Sequence, residues 1–153
     1  MEYKETFIQV IVNTLKELSK VDFAYEELDA RSQYKSLKEI TSQISIYGDD
    51  HEGMIILNLD SEFLKYLYYE IGEEELEDDF IIEDFCGELT NILAGKFIEF
   101  IDLDITLSLP IINFDPIEYS TIKKNSFNAF HFFNNKGHEF FIFTYLAKTF
   151  QNF

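Results

Sequence analysis

The stretch Asp84–Phe97, "DFCGELTNILAGKF", decides how this chain reads. Phe85, Leu89, Leu93 and Phe97 recur at helical spacing, which predicts one buried helix face. Two glycines and an asparagine interrupt that pattern, and all three are poor helix formers. At about 100° per residue, Phe85, Cys86, Leu89, Leu93, Lys96, Phe97 and Phe100 share a broad core side, with the Lys96 stem at its margin. Asp84, Gly87, Glu88, Asn91, Gly95 and Ile98 gather on another side. Each glycine costs about 1 kcal/mol relative to alanine inside a helix. Water gives no reason for two of them on one face, whereas close approach of another backbone does. That backbone is either a visiting protein or another helix of the same domain. The bland alternative is a polar helix side that is simply solvated.

Working outward, this helix is expected from about Phe80 to Ile101. The acidic run Glu73–Asp79 precedes it. That run reads as a solvated linker that sets negative charge at the helix N-terminus, where the macrodipole favours it, and not as a metal site. Before it, "SEFLKYLYYEIG" reads as a helix capped by Asp60 or Ser61 and terminated by Gly72. Ile40, Ile44 and Ile46, a polar turn Gly48–Gly53 and "GMIILNL" predict a hairpin. Residues 2–20 form an amphipathic helix through Phe7, Ile8, Ile11, Leu15 and Leu18. Residues 21–36 are irregular, a short strand or a loop. Past the central helix, "DITLSLPIINF" alternates as one strand, with Pro110 marking an edge or a bulge. "FNAFHFF" and "HEFFIFTYL" flank the turn "NNKG" as a last hairpin. Their consecutive apolar residues are either buried on both faces or paired with another subunit. The expectation is a single α/β (α+β) domain over 1–153. An antiparallel-rich sheet packs with long helices in the order α-β-β-α-α-β-β-β.

Composition narrows the partners. The 153 residues carry 12 basic and 29 acidic side chains, a formal charge of -17, which repels nucleic-acid backbones and anionic membranes. A protein with basic surface fits better. With 17 Phe and 9 Tyr, core material is plentiful and disorder is disfavoured. The single cysteine, Cys86, forms no intrachain disulfide and suggests a reducing compartment. "MEYKETFIQV" has no secretory apolar core, and no run approaches the roughly 20 residues that cross a bilayer. The cytoplasm is the expected location.

Glu88 and Asn91 stand at i, i+3 and project together. A carboxylate grips a Lys or Arg, and a carboxamide holds a water through more than one hydrogen bond. The pair suits docking plus water positioning and does not suit self-contained acid–base catalysis. Elsewhere, His51 among Asp49, Asp50 and Glu52 reads as a polar turn. His131 and His138 flank the last turn, are expected on paired strands, and make a weak metal claim. Cys86 points to the core side as a buried thiol. No phosphate-binding loop, dinucleotide fingerprint or nucleophile elbow occurs.

"GELTNILAGK", Gly87–Lys96, resembles the Glu-x-x-Asn signature of the CheC/CheX/FliY chemotaxis phosphatases, within a broader Glu-Leu-x-Asn-x-x-Ala-Gly pattern. The first helix holds Asn13 but has Val10 three residues earlier, so the motif occurs once, as in CheX and unlike two-site CheC. The resemblance implies hydrolysis of the aspartyl phosphate of a CheY-like response regulator. Glu88 would bridge to the receiver's lysine and Asn91 would orient the attacking water. Asp84, Gly87 and Gly95 would face the partner. Mg²⁺ would come with the receiver, and the protein would carry no cofactor of its own. CheX-like proteins form homodimers, and the terminal strands are a candidate contributor to one. Two alternatives stay open: a non-catalytic adaptor that uses the same face on a receiver or flagellar switch component, and a structural dimer module.

Overall fold

The computed structural model describes residues 3–29, 37–115 and 127–149. In chain order these form α1 (Lys4–Ser19), β1 (Ala24–Leu28), β2 (Ile40–Gly48), β3 (His51–Leu59), α2 (Ser61–Gly72), α3 (Asp79–Glu99), β4 (Ile105–Leu107), β5 (Ile111–Asn113), β6 (Asn128–Phe133) and β7 (Glu139–Lys148). The strands make one antiparallel sheet in the order β1-β6-β7-β3-β2-β4, and β5 pairs farther along β2.

Period-two alternation decides which face the helices cover. Ile40, Ile44 and Ile46 of β2, Ile55 and Leu57 of β3, Phe130 and Phe132 of β6, and Phe140 and Ile142 of β7 all enter one core. The helices meet them with Phe7, Ile11 and Leu15, with Phe63, Leu64 and Leu67, and with Phe85, Leu89, Leu93 and Phe97. Each such side chain, fully buried, stabilises the fold by roughly 1.5–3 kcal/mol. Phe7 meets Phe97 edge to face at 5.1 Å, which seats α1 on α3.

The other sheet face has its own smaller apolar cluster. Ile56, Ala129, Phe141 and Phe143 are buried there, with Leu28, Leu37, Met54 and Phe127 packed against them. The consecutive apolar residues of the last hairpin are therefore buried on both faces. β6 lies between β1 and β7, and β7 between β6 and β3, so neither has a free edge for a second subunit.

Of the two readings of residues 21–36, the short strand holds as β1, at the sheet margin; residues 30–36 fall outside the described ones. Several other expectations need correction. "DITLSLPIINF" is two three-residue strands. Pro110 lacks the amide a continuous ladder needs. Across the break the Ser45 amide donates to Ser108 Oγ at 2.8 Å, and the Ser108 amide donates to the Ser45 carbonyl at 2.9 Å. The first hairpin turns through Asp49 and Asp50, which leaves His51 in β3, buried at 5 % exposure. Asp60 caps α2, its Oδ1 accepting from the Phe63 amide. Gly72 stays helical, and Glu73 takes the left-handed turn at φ 56. The acidic run is not wholly solvated: Leu76 is buried, pinning the connection, and Asp78 caps α3 by accepting from the Phe80 amide.

Candidate functional site

The rotation of α3 is fixed from below. Thr90 and Ser42 are fully buried, with their hydroxyls 2.7 Å apart. Thr90 Oγ1 donates to the Cys86 carbonyl at 2.7 Å, one turn back. Its proton is thus committed, and Ser42 supplies the hydrogen between the two hydroxyls. Ser42 occupies an inward position of β2 between Ile40 and Ile44, and its small side chain lets α3 settle close to the strand.

With Leu89 and Thr90 directed into the protein, Glu88 and Asn91 on either side are exposed. Neither has a hydrogen-bond or ion-pair partner among the described residues. They line a groove of about 560 Å³ together with Phe80, Glu83, Asp84, Gly87, Pro110 and Ile112. Among the described residues, three carboxylates and no cation line this space, which favours a positively charged visitor.

The two glycines have different surroundings. Gly87 is buried, and a Cβ there would stand 3.3 Å from Ile112 Cδ1 and 3.6 Å from Pro110 Cγ. The chain's own β4–β5 segment overhangs the helix at that point, so Gly87 has an internal reason to lack a side chain. Gly95 is half-buried, and among the described residues nothing lies within 4 Å of where its Cβ would be. Asp84 is exposed and Ile98 half-buried. Phe100, assigned to the core side from periodicity, is 67 % exposed. It is the C-cap of α3, one residue past the helix end.

Among the described residues, the groove's lining holds no Ser, Thr, Cys, Lys or His as a nucleophile. Burial pushes the Cys86 thiol up to about 12, with the nearby Glu83 charge adding to the shift and the Ser42 hydroxyl opposing it. It is a protonated core thiol. His51 pairs with Asp50 at 2.7 Å, away from the groove. His131, on β6, is held between Glu26 at 2.9 Å and Glu139 at 2.7 Å. His138 precedes β7 and stacks on Tyr66 at 3.6 Å, so the expectation that both histidines sit on paired strands fails for His138. Among the described residues, no three His, Cys, Asp or Glu side chains converge as a metal site.

Sequence reading missed the Ser42–Thr90 pair and the apolar lip of Phe80, Pro110 and Ile112. It also missed an ion network in which Lys38 reaches Glu139 at 2.8 Å and Asp60 at 3.7 Å, while Glu139 holds His131. Burial draws the Lys38 amine down, but the hydrogen bond and charge of Glu139, with Asp60, outweigh it and leave it raised. Recognising β1 would have placed Glu26 opposite His131. Chemically, the groove can hold a cation and orient a water; the electrophile must arrive with the visitor.

A family model described as chemotaxis phosphatase CheX matches residues 40–125, a span that includes all of α3. The fold is similar to that of the chemotaxis protein CheX from Vibrio vulnificus, with a TM-score of 0.78 at 14 % identity over 96 % of this chain and 100 % of that one. It is similar to a chemotactic CheC-like protein from Shewanella oneidensis MR-1, with a TM-score of 0.76 at 13 % identity over 96 % and 100 %. It also matches the CheX-CheY-BeF3-Mg²⁺ complex from Borrelia burgdorferi, with a TM-score of 0.68 at 18 % identity over 95 % and 97 %. No curated protein matches the chain in sequence.

Proposed function

The chain belongs to the chemotaxis phosphatase CheX family, and from that premise we propose that it hydrolyses the aspartyl phosphate of a CheY-like response regulator. The observation that carries this reading is the pair Glu88 and Asn91, exposed and side by side on a groove where, among the described residues, they have no partner and no cation joins them. Glu88 docks against the receiver's active-site lysine. Asn91 enters the receiver's pocket, and its carboxamide accepts from and donates to the attacking water. Water adds to phosphorus, the bond to the aspartate oxygen breaks, and inorganic phosphate and a free carboxylate result. The receiver supplies both the phosphoaspartate and Mg²⁺. This chain supplies positioning, which lowers a barrier without covalent chemistry.

The Borrelia burgdorferi structure, a CheX with CheY, BeF3 and Mg²⁺, supports a receiver as the partner class and Mg²⁺ as an ion that accompanies it. The proposal extends to 1–153 acting as one domain, as a cytoplasmic homodimer, with Asp84 and Gly95 facing the receiver. Among the described residues, no helix is long and apolar enough to cross a membrane.

The test is phosphate release from a phosphorylated CheY-type receiver with Mg²⁺, with and without this protein. Faster decay that Asn91→Ala abolishes while binding persists is the expected result. Binding without faster decay selects the adaptor instead, and absence of both removes the receiver as partner.

A further inference from the structure

A second groove adjoins the first. It has a volume of about 500 Å³ and includes Ile40, Asp79, Phe80, Ile82, Glu83 and Phe114 in its lining. Its floor is closed by Ile40 and Ile82, at 1 % and 4 % exposure. Its walls are two large aromatics left in solvent, Phe80 at 77 % and Phe114 at 51 % exposure. Single exposed apolar residues need no explanation, but two phenylalanines around one concave apolar floor do. Phe80 and Glu83 line both grooves, so the two are continuous.

From this we propose that the second groove is an anchor pocket for the same receiver, seating an apolar side chain flanked by Lys or Arg. The inference rests on the receiver reading above. Phe80 lies eight residues before Glu88, about 12 Å along the helix axis at 1.5 Å per residue. A receiver whose lysine meets Glu88 covers that distance easily, since a specific interface buries about 800 Å² on each partner. Asp79 and Glu83 beside the apolar floor, with no Lys or Arg among the described lining residues, select an amphipathic basic visitor over an acidic or purely apolar one. Aromatic walls around a pocket adjoining the chemistry are where binding energy concentrates. The division of labour follows: Phe80 and Phe114 set affinity, and Asn91 sets turnover.

The experiment uses Phe80→Ala, Phe114→Ala and their double variant. It measures kcat and KM on the phosphorylated receiver and Kd for the receiver with BeF3⁻ and Mg²⁺, BeF3⁻ standing in for the phosphoryl group. Because both rings are exposed, thermal stability should hold. The double variant should raise KM and Kd about tenfold or more, with kcat at saturation within about twofold, since losing an aromatic contact of this kind exceeds 1 kcal/mol. Phe80→Leu should restore most of the affinity, and Asp79→Asn should reduce the salt dependence of binding. Wild-type KM and Kd in the double variant overturn the pocket while Asn91→Ala still abolishes turnover, which leaves the function standing. A changed oligomeric state with unchanged receiver Kd assigns the groove to a second copy and overturns the proposal. A wild-type chain that neither binds nor turns over the receiver overturns both readings.

Discussion

The Thr90 hydroxyl lies 2.7 Å from that of Ser42, with both side chains sealed from solvent between α3 and β2. This contact sits between Glu88 and Asn91 in sequence, and it sets which way those two groups point. Thr90→Val leaves the Ser42 hydroxyl without its acceptor and should cost about 1–3 kcal/mol of stability, read from urea unfolding. The double variant Thr90→Val with Ser42→Ala should lose less than the sum of the singles, because both polar groups leave together. Turnover should fall in Thr90→Val through misplacement of Asn91, without loss of receiver binding.

Asn91→Ala should lower kcat by roughly 10²–10³-fold, the range for removing one preorganised polar group from a reacting centre. Glu88→Ala should act mainly on KM, raising it about tenfold or more through loss of a charge pair. Steady-state phosphate release separates the two. A kcat effect for Glu88 equal to that for Asn91 would refute the division of roles.

Gly95→Ala separates a docking face from a solvated one. No described atom stands within 4 Å of the added methyl, so the helix should gain about 1 kcal/mol of stability. If a receiver presses on this surface, kcat/KM falls while the melting temperature rises. An alanine variant that is both more stable and fully active would mean that the face meets water alone.

Acid should loosen the margin where β1, β6 and β7 meet. The hydrogen bond from Lys38 holds the Glu139 carboxyl below its ordinary 4.5, partly opposed by burial, with His131 contributing in the same direction. A carboxylate with a depressed folded value stabilises the fold fully above its ordinary value and loses that contribution as pH falls through the folded one. Wild type should therefore exceed Glu139→Gln in stability at neutral pH, and the gap should close below about pH 4.5. Denaturant melts across that window check it. Lys38, His131, Asp60 and Glu26 are the other members of the network, and a gap that widens on acidification would refute the assignment to Glu139.

The pairing of Glu88 with Asn91 on the candidate site was legible because α3 is long and their spacing is local. Glu88 and Asn91 sit three residues apart, and helical geometry alone brings them together. Even spacing exposed the β2–β3 hairpin and the turn "NNKG" the β6–β7 one, while consecutive apolar residues left burial on both faces and pairing with a second subunit both open. The rest depended on contacts between distant segments. Ser42 and Thr90 are 48 positions apart, and nothing in either neighbourhood marks them as partners. Pro110 signalled a break, but not that Ser108 would bridge it or that Ile112 would cover Gly87. β1 stayed one of two readings, strand or loop, because at a sheet edge with four of its five residues exposed its pattern does not alternate. Phe100 was misplaced because a helical projection gives direction and not what the rest of the fold extends to cover at the helix end.

The Ser108 bridge reaches beyond the ladder it repairs. By kinking the margin of the sheet, it swings Pro110 and Ile112 over α3, so one bank of the groove is built from residues about 20 positions downstream of its opposite bank. Transplanting α3 onto another scaffold would carry Glu88 and Asn91 but leave behind the cleft that frames them.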